Sequence, residues 1–70
     1  MAIHRIHFHF TLIDFHNEVI EVRDTYFINH TSAIAGAFDL FYARESCARV
    51  IIESDWGFHV TIEWGVRRSY

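Results

Sequence analysis

Two histidines, His7 and His9, stand two residues apart in the segment IHFHFTL. Alternate residues of an extended strand point to the same side, so both imidazoles would share one face of it. That arrangement suits metal binding, but zinc needs three or four protein or solvent ligands. His59 is the next candidate on the same face, and no Cys-x-x-Cys or His-Glu-x-x-His spacing accompanies these residues. We therefore expect no metal and no cofactor, and interpret the histidines as the polar face of a sheet.

Catalysis has little support in the sequence. A histidine pair could act as general acid and base in phosphodiester cleavage, with Arg5 or Arg49 balancing the transition-state charge. Nothing gathers these groups into a pocket, and a chain of 70 residues has little room for one. Cys47 follows the predicted helix, away from the helix N-terminus that would acidify its thiol. We expect a protein that is not an enzyme, and keep a small histidine- or metal-dependent nuclease as a third alternative.

The composition indicates one small domain spanning residues 1–70. Hydrophobic residues make up 51% of the chain, which permits a dense core, and a single cysteine excludes an internal disulfide. A domain of this size often gains stability from a partner. The formal charge of −3 does not predict nonspecific nucleic-acid binding. No stretch has the length of a membrane span and no signal peptide is evident, so we expect a cytoplasmic protein without membrane contact.

The first half of the chain predicts a β-hairpin followed by a helix. Residues 3–13 alternate, with Phe8 and Phe10 on the apolar face and His7 and His9 on the polar one. The segment DFHNE reads as a turn, and EVIEVRD as a second strand paired with the first. Thr31 or Ser32 would cap a helix over SAIAGAFDLFYARE.

The second half predicts a C-terminal hairpin with a defined register. Asp55-Trp56-Gly57 fits a three-residue loop with glycine in the left-handed conformation. Placing Ser54 opposite Phe58 pairs apolar residues with apolar ones and charges with opposite charges, whereas a slip of one residue would mix the two faces. The predicted pairs are Ile52 with Val60, Val50 with Ile62, Ala48 with Trp64, Glu53 with His59 and Arg49 with Glu63. The whole chain is therefore predicted to be an α+β domain of order β-β-α-β-β, an antiparallel sheet with one helix packed on one face.

The predicted helix is apolar on both sides. The stripe expected to face the sheet contains Ile34, Phe38 and Phe41, with Ala37 and Tyr42 at its edge. The opposite side would then carry Ala33, Gly36, Leu40 and Ala43, relieved by Ser32 and Asp39. Small residues around one leucine let another surface approach closely, which favours a homodimer or a target-binding face. The alternative is a helix that is merely rich in alanine, a strong helix former.

Further candidates for partner contact lie near the C-terminus. Trp56 sits at the tip of the predicted hairpin, where it would either anchor a partner or fold back over the sheet edge. The tail carries Arg67 and Arg68, which would contact a partner or remain a solvated terminus. The predicted partner-binding residues are Trp56, Asp39, Leu40, Gly36, Arg67 and Arg68.

Four segments together carry a resemblance of size and layout: IHFHFTL, EVIEVRD, the helix opening NHTSAIAGAF, and the hairpin RVIIESDWGFHVTIEW. This plan, which covers the whole chain, resembles the small proteins that bacteriophages use against their hosts, including anti-CRISPR inhibitors and host-polymerase inhibitors. Many of those proteins have one helix on a small antiparallel sheet and act by occupying a protein surface. The resemblance implies a non-enzymatic inhibitor that blocks a surface of a larger protein complex, in the host cytoplasm if the protein is viral.

The charge pattern departs from one group of those inhibitors. Many are strongly acidic and imitate nucleic acid, whereas this chain has a mild net charge of −3 with charges expected to pair across strands. Surface blocking is therefore the expected mode of action. The alternative is a nucleic-acid-binding regulator that would use the histidine-bearing sheet face and the arginine tail. Because RNA-binding sheets display aromatic rings and the phenylalanines of the first strand point the other way, this alternative ranks second.

Overall fold

Four strands and one helix make up the part of the domain that the structure describes. The computed structural model describes residues 5–55 and 57–63, and its elements are β1 (Ile6–Asp14), β2 (Val19–Phe27), α1 (His30–Ala43), β3 (Cys47–Ser54) and β4 (His59–Glu63). All pairs among the described strands are antiparallel, in the order β2-β1-β3-β4, so within this described sheet β1 and β3 are central while β2 and β4 form the edges. The predicted α+β fold and element order are confirmed. Within the described ranges, no helix is long and apolar enough to cross a membrane.

The first hairpin is fixed by the side chain of Asp14. One of its carboxylate oxygens accepts hydrogen bonds from the backbone N–H groups of His16 and Glu18, each at 2.9 Å. These bonds, the one from Glu18 foremost, hold the pKa of Asp14 below its usual value. Asn17 adopts a left-handed conformation with φ of 67°, which asparagine tolerates better than most residues. The turn predicted from DFHNE is confirmed, and it sets the pairing of β1 with β2.

The second hairpin has the register expected from its sequence. Gly57 is left-handed with φ of 85°, and the Ser54 N–H donates to the Phe58 carbonyl at 3.1 Å. The observed pairs are Ile52 with Val60, Val50 with Ile62, Glu53 with His59 and Arg49 with Glu63. Trp56 and Trp64 lie outside the described residues, so the predicted pairing of Ala48 with Trp64 does too.

The core lies between α1 and one face of the sheet. Phe8, fully buried, makes edge-on ring contacts with Phe27, His30 and Phe58 at centroid distances of 5.5–6.1 Å. The alternation predicted for β1 is confirmed, because Phe8, Phe10 and Leu12 are buried in this core and Ile6 packs against it. The buried core residues are Phe8, Phe10, Leu12, Val50, Ile52 and Ile62 from the sheet, Cys47 at the start of β3, and Ala33, Ala37 and Phe41 from the helix.

The predicted orientation of the helix about its axis is wrong in part: Ala37 and Phe41 are buried and Ile34 packs against the core as predicted, but the rest of the inward face differs. Ala33 is fully buried, Leu40 packs against the core, and a Cβ atom added to Gly36 would lie only 2.7 Å from the Phe27 ring. Phe38 and Tyr42 are exposed instead. The reason is steric: the sheet face already carries large phenylalanine rings, so the small residues of the helix are the ones that let its backbone approach closely. Gly36 and Leu40, predicted to contact a partner, therefore face the sheet.

The helix begins two residues earlier than predicted. Its N-cap is Asn29 rather than Thr31 or Ser32, and the Asn29 side-chain oxygen accepts a hydrogen bond from the Ser32 N–H at 2.8 Å. The His30 ring packs against the Phe8 and Phe58 rings, with centroids 5.5 and 4.4 Å away. This contact draws the residue after the cap into the core and fixes the first turn.

Candidate protein-binding surfaces and the histidine cluster

The outer face of the sheet, opposite α1, carries a histidine cluster made of His7, His9, Asp24 and Asp55. The two ring nitrogens of His7 lie 2.9 Å from an Asp24 carboxylate oxygen and 3.2 Å from an Asp55 oxygen. His9 Nδ1 lies 2.9 Å from the same Asp24 oxygen. Because both His7 nitrogens face acceptors, both can donate only when the ring is protonated. The cluster therefore favours an imidazolium at His7.

The electrostatics of the cluster agree with that geometry. Hydrogen bonding to Asp55, and then to Asp24, raises the pKa of His7 above its usual value. Hydrogen bonds from His9 and His7 lower the pKa of Asp24. A histidine whose pKa is raised by folding stabilises the folded state. This contribution is fully present below the unfolded-state pKa of about 6.5 and is lost as the pH rises through the folded-state pKa. The lowered aspartate pKa contributes above its unfolded value near 3.9, so both contributions coexist in mildly acidic solution.

A His7→Gln variant is expected to lose more stability in mildly acidic than in alkaline solution. The difference in unfolding free energy from wild type should be largest in mildly acidic solution, at about pH 5, and should shrink as the pH rises through the folded-state pKa of His7. Urea unfolding at several pH values measures this difference. In an Asp24→Asn, Asp55→Asn background the same substitution should show little pH dependence. A difference that grew with pH would contradict the assigned protonation.

Among the described residues, the cluster does not extend to a metal site. His59 lies on β4, and the strand β3 lies between β4 and β1. Two strand spacings, together roughly 10 Å, therefore separate His59 from His9. Glu53 stands between them in the ladder. In the part of the chain that the structure describes, no group of three or more histidine, cysteine, aspartate or glutamate side chains could hold a metal ion. Cys47 is fully buried, which raises the pKa of its thiol.

A first apolar surface follows the edge strand β2 and is called the β2 surface below. Phe15, in the preceding turn, is 64% exposed, and Val22, in the middle of the strand, is 50% exposed. The surface consists of Phe15, Val19, Ile20, Val22, Tyr26 and Ile28. It accounts for most of the large apolar side chains that the described residues expose. Sequence reasoning missed it, although the lack of apolar alternation in VIEVRDTYF is typical of an edge strand with no fully buried face.

The helix side of β2 carries two charged residues in addition to the apolar Phe27. Glu21 and Arg23, two residues apart, face α1 and form an ion pair at 2.6 Å. Glu21 also pairs with Arg44, which follows the C-terminus of the helix. The Glu21–Arg44 ion pair therefore links the end of α1 to β2. Within β2, Glu21 and Arg23 place opposite charges on either side of Val22.

A second apolar surface lies on the outward side of α1 and is called the helix surface below. The rings of Phe38 and Tyr42 stack at a centroid distance of 5.8 Å with an interplanar angle of 20°. Tyr42 is 63% exposed, and Asp39 beside it is exposed as well. Of the predicted partner-binding residues, Asp39 lies on this surface. Trp56, Arg67 and Arg68 lie outside the described residues.

Known proteins offer no further guide to the site. No protein-family model, curated protein or solved structure matches the chain. The functional assignment therefore depends on the geometry of the histidine cluster, the β2 surface and the helix surface.

Proposed function

We propose that this chain is a non-enzymatic protein-binding domain that acts by occupying a surface of a larger protein complex. The observation that carries the proposal is the stacked, exposed Phe38–Tyr42 pair on the outward side of α1. The buried core is completed by other helix residues, so these rings are placed where a partner can contact them. Aromatic side chains supply large contact area at low cost in conformational entropy and are enriched in the centres of protein interfaces.

The helix surface also limits the chemistry of the target. Asp39 lies beside the two rings and adds one carboxylate to an otherwise apolar patch. A complementary surface would offer an apolar depression for the rings and an arginine or lysine for the carboxylate. This pattern supports blocking of a protein surface, the mode of action implied by the resemblance to phage inhibitors. The proposal places the protein in a reducing cytoplasm, where the buried thiol of Cys47 stays reduced.

The outer sheet face is less suited to nucleic acid. Its two cluster histidines are hydrogen-bonded to carboxylates, and Glu53 and Glu63 lie on the same face. Carboxylates repel phosphate groups, and counterion release requires clustered positive charge. Protein binding is therefore the function that this arrangement favours.

Replacing both rings of the helix surface should weaken target binding by about tenfold or more, as is usual for central aromatic contacts. The experiment immobilises the wild-type chain, identifies captured host proteins by mass spectrometry, and then measures the affinity of the purified candidate. The test variant is Phe38→Ala, Tyr42→Ala. The matched control is Phe15→Ala, which removes an exposed aromatic ring from the β1–β2 turn.

Thermal unfolding of both variants separates binding from folding. Normal unfolding of the double variant together with lost affinity, and unchanged affinity in Phe15→Ala, would support the helix surface. Equal affinity of the wild-type chain and the double variant for the same purified target would overturn the assignment.

A further inference from the structure

We propose that β2 pairs with β2 of a second copy of this chain, antiparallel and about a twofold axis at Val22. The two four-stranded sheets would then merge into one continuous sheet. Because β2 is an edge strand, alternate residues direct their N–H and C=O groups away from β1 and form a template for another strand. This surface is separate from the helix surface proposed to bind the target.

Symmetry limits how two β2 strands can pair. Antiparallel strands in one sheet are related by a twofold axis perpendicular to the sheet, and residues opposite each other share a face. The axis must therefore pass midway between two copies of the same residue of β2. Each register can be named by that central residue. The helices of both copies then lie on the same side of the merged sheet.

The charges of β2 select one register. Centring the axis on Glu21, Arg23 or Asp24 would place each of these charges directly opposite its own copy, which is destabilising. Centring it on Val22 places Glu21 of each copy opposite Arg23 of the other. Among the registers centred on residues 20 to 25, this is the one that pairs opposite charges across the interface. Charged residues on an edge strand usually prevent such pairing, but the sequence Glu-Val-Arg complements itself.

Apolar contacts reinforce the same register. Val22 points to the outer face, where it shares a side with its cross-strand partner Thr11, and half of its surface is exposed. At the axis the two valines would meet directly, and each would shield the other from water. Val19 and Ile20, also exposed in the single chain, lie within two or three residues of the axis. The pairing would therefore cover apolar side chains in the centre of the β2 surface.

Dimer formation would also place the two helix surfaces on the same side of the merged sheet. The two helix surfaces, each with its Phe38–Tyr42 pair, would face the same side and could engage a target together. Once one helix surface has bound a target with repeated sites, the other is held close to the next site. This high effective concentration would raise the overall affinity.

A charge-swap experiment tests both the pairing and its register. Glu21→Arg alone would place arginines opposite arginines, and Arg23→Glu alone would place glutamates opposite glutamates. The dissociation constant of the dimer should rise at least about tenfold in each single variant, because like charges face each other across the interface. An equimolar mixture of the two variants restores all the opposite-charge pairs and should form a heterodimer. Size-exclusion chromatography with light scattering measures the masses.

Each outcome of the charge-swap experiment decides the proposal. A wild-type dimer, weakened single variants and a restored mixture would support pairing about Val22. Formation of a heterodimer would also show that both variants fold, even though Glu21→Arg removes the ion pair with Arg44. A wild-type monomer at all concentrations, or a dimer indifferent to both variants, would overturn the proposal. Because the helix surface is separate, target binding by the monomer would survive that failure.

Discussion

A Phe8→Ala variant is expected to lose most of its stability and to be substantially unfolded at 25 °C. Phe8 is fully buried in the central strand β1 and contacts rings from β2, α1 and the β3–β4 hairpin. Removing a buried phenylalanine ring costs about 3–5 kcal/mol. A domain of this size, without a disulfide, has a free energy of unfolding of roughly 3–5 kcal/mol. The loss therefore approaches the whole stability of the fold, and circular dichroism with urea unfolding would measure it.

Phe15→Ala is the matched control for that experiment. The substitution is chemically the same, but Phe15 lies exposed in the turn between β1 and β2. Its removal should change the free energy of unfolding by about 0.5 kcal/mol or less, as for most surface substitutions. If the two variants were equally stable, the placement of the core on the helix side of the sheet would be wrong.

A Gly36→Leu variant is expected to lose about 2 kcal/mol of stability or more, as overpacking of a filled interface does. Even a Cβ at this position would lie 2.7 Å from the Phe27 ring, and that ring is held against Phe8 and Phe10. Helix propensity acts in the other direction, since leucine is favoured over glycine by about 0.8 kcal/mol in a helix. The sign of the change therefore reports which side of the helix faces the sheet. Urea unfolding measures it.

Ala35→Leu provides the control on the outward side. Ala35 is exposed in the same helix, and alanine and leucine have similar helix propensities. The expected change in unfolding free energy is about 0.5 kcal/mol or less. A stabilised Gly36→Leu variant would contradict the observed packing and would restore the orientation expected from the sequence.

Strand pairing was the part of the fold most accessible from the sequence. The register of the C-terminal hairpin follows from matching apolar and charged faces, because a slip by one residue would reverse every side chain. The observed Val50–Ile62 and Glu53–His59 pairs show that this constraint was sufficient. In β1, strict alternation likewise separated the buried phenylalanines from the outer histidines. Period-two patterns carry their own register, and this made these predictions reliable.

The rotation of α1 was not accessible in the same way. A helix with apolar residues all round offers two candidate stripes, and hydrophobicity alone cannot choose between them. Packing against Phe27 and the other sheet phenylalanines decides the matter, because small residues such as Ala33 and Gly36 leave space for large rings. That complementarity depends on which sheet residues lie beneath the helix. It becomes visible only once the strand order is known.

The candidate surfaces were predicted in part. Asp39 lies on an exposed helix surface as expected, but its neighbours there are Phe38 and Tyr42 rather than Gly36 and Leu40. The β2 surface was missed because edge position depends on the strand order of the whole sheet. The lack of apolar alternation in VIEVRDTYF is typical of an edge strand, but the letters alone do not show which strands lie beside it.

Amide hydrogen exchange, monitored by NMR in concentrated and in dilute solution, tests the central claim that β2 pairs with β2 of a second copy. Pairing about Val22 predicts that outward-facing β2 amides exchange slowly when the protein is concentrated and faster on dilution. The amides of β4, the opposite edge strand, serve as the internal control and should exchange at the same rate in both solutions. If the outward amides of β2 exchanged as rapidly as those of β4 at every concentration, β2 would not pair with a second copy.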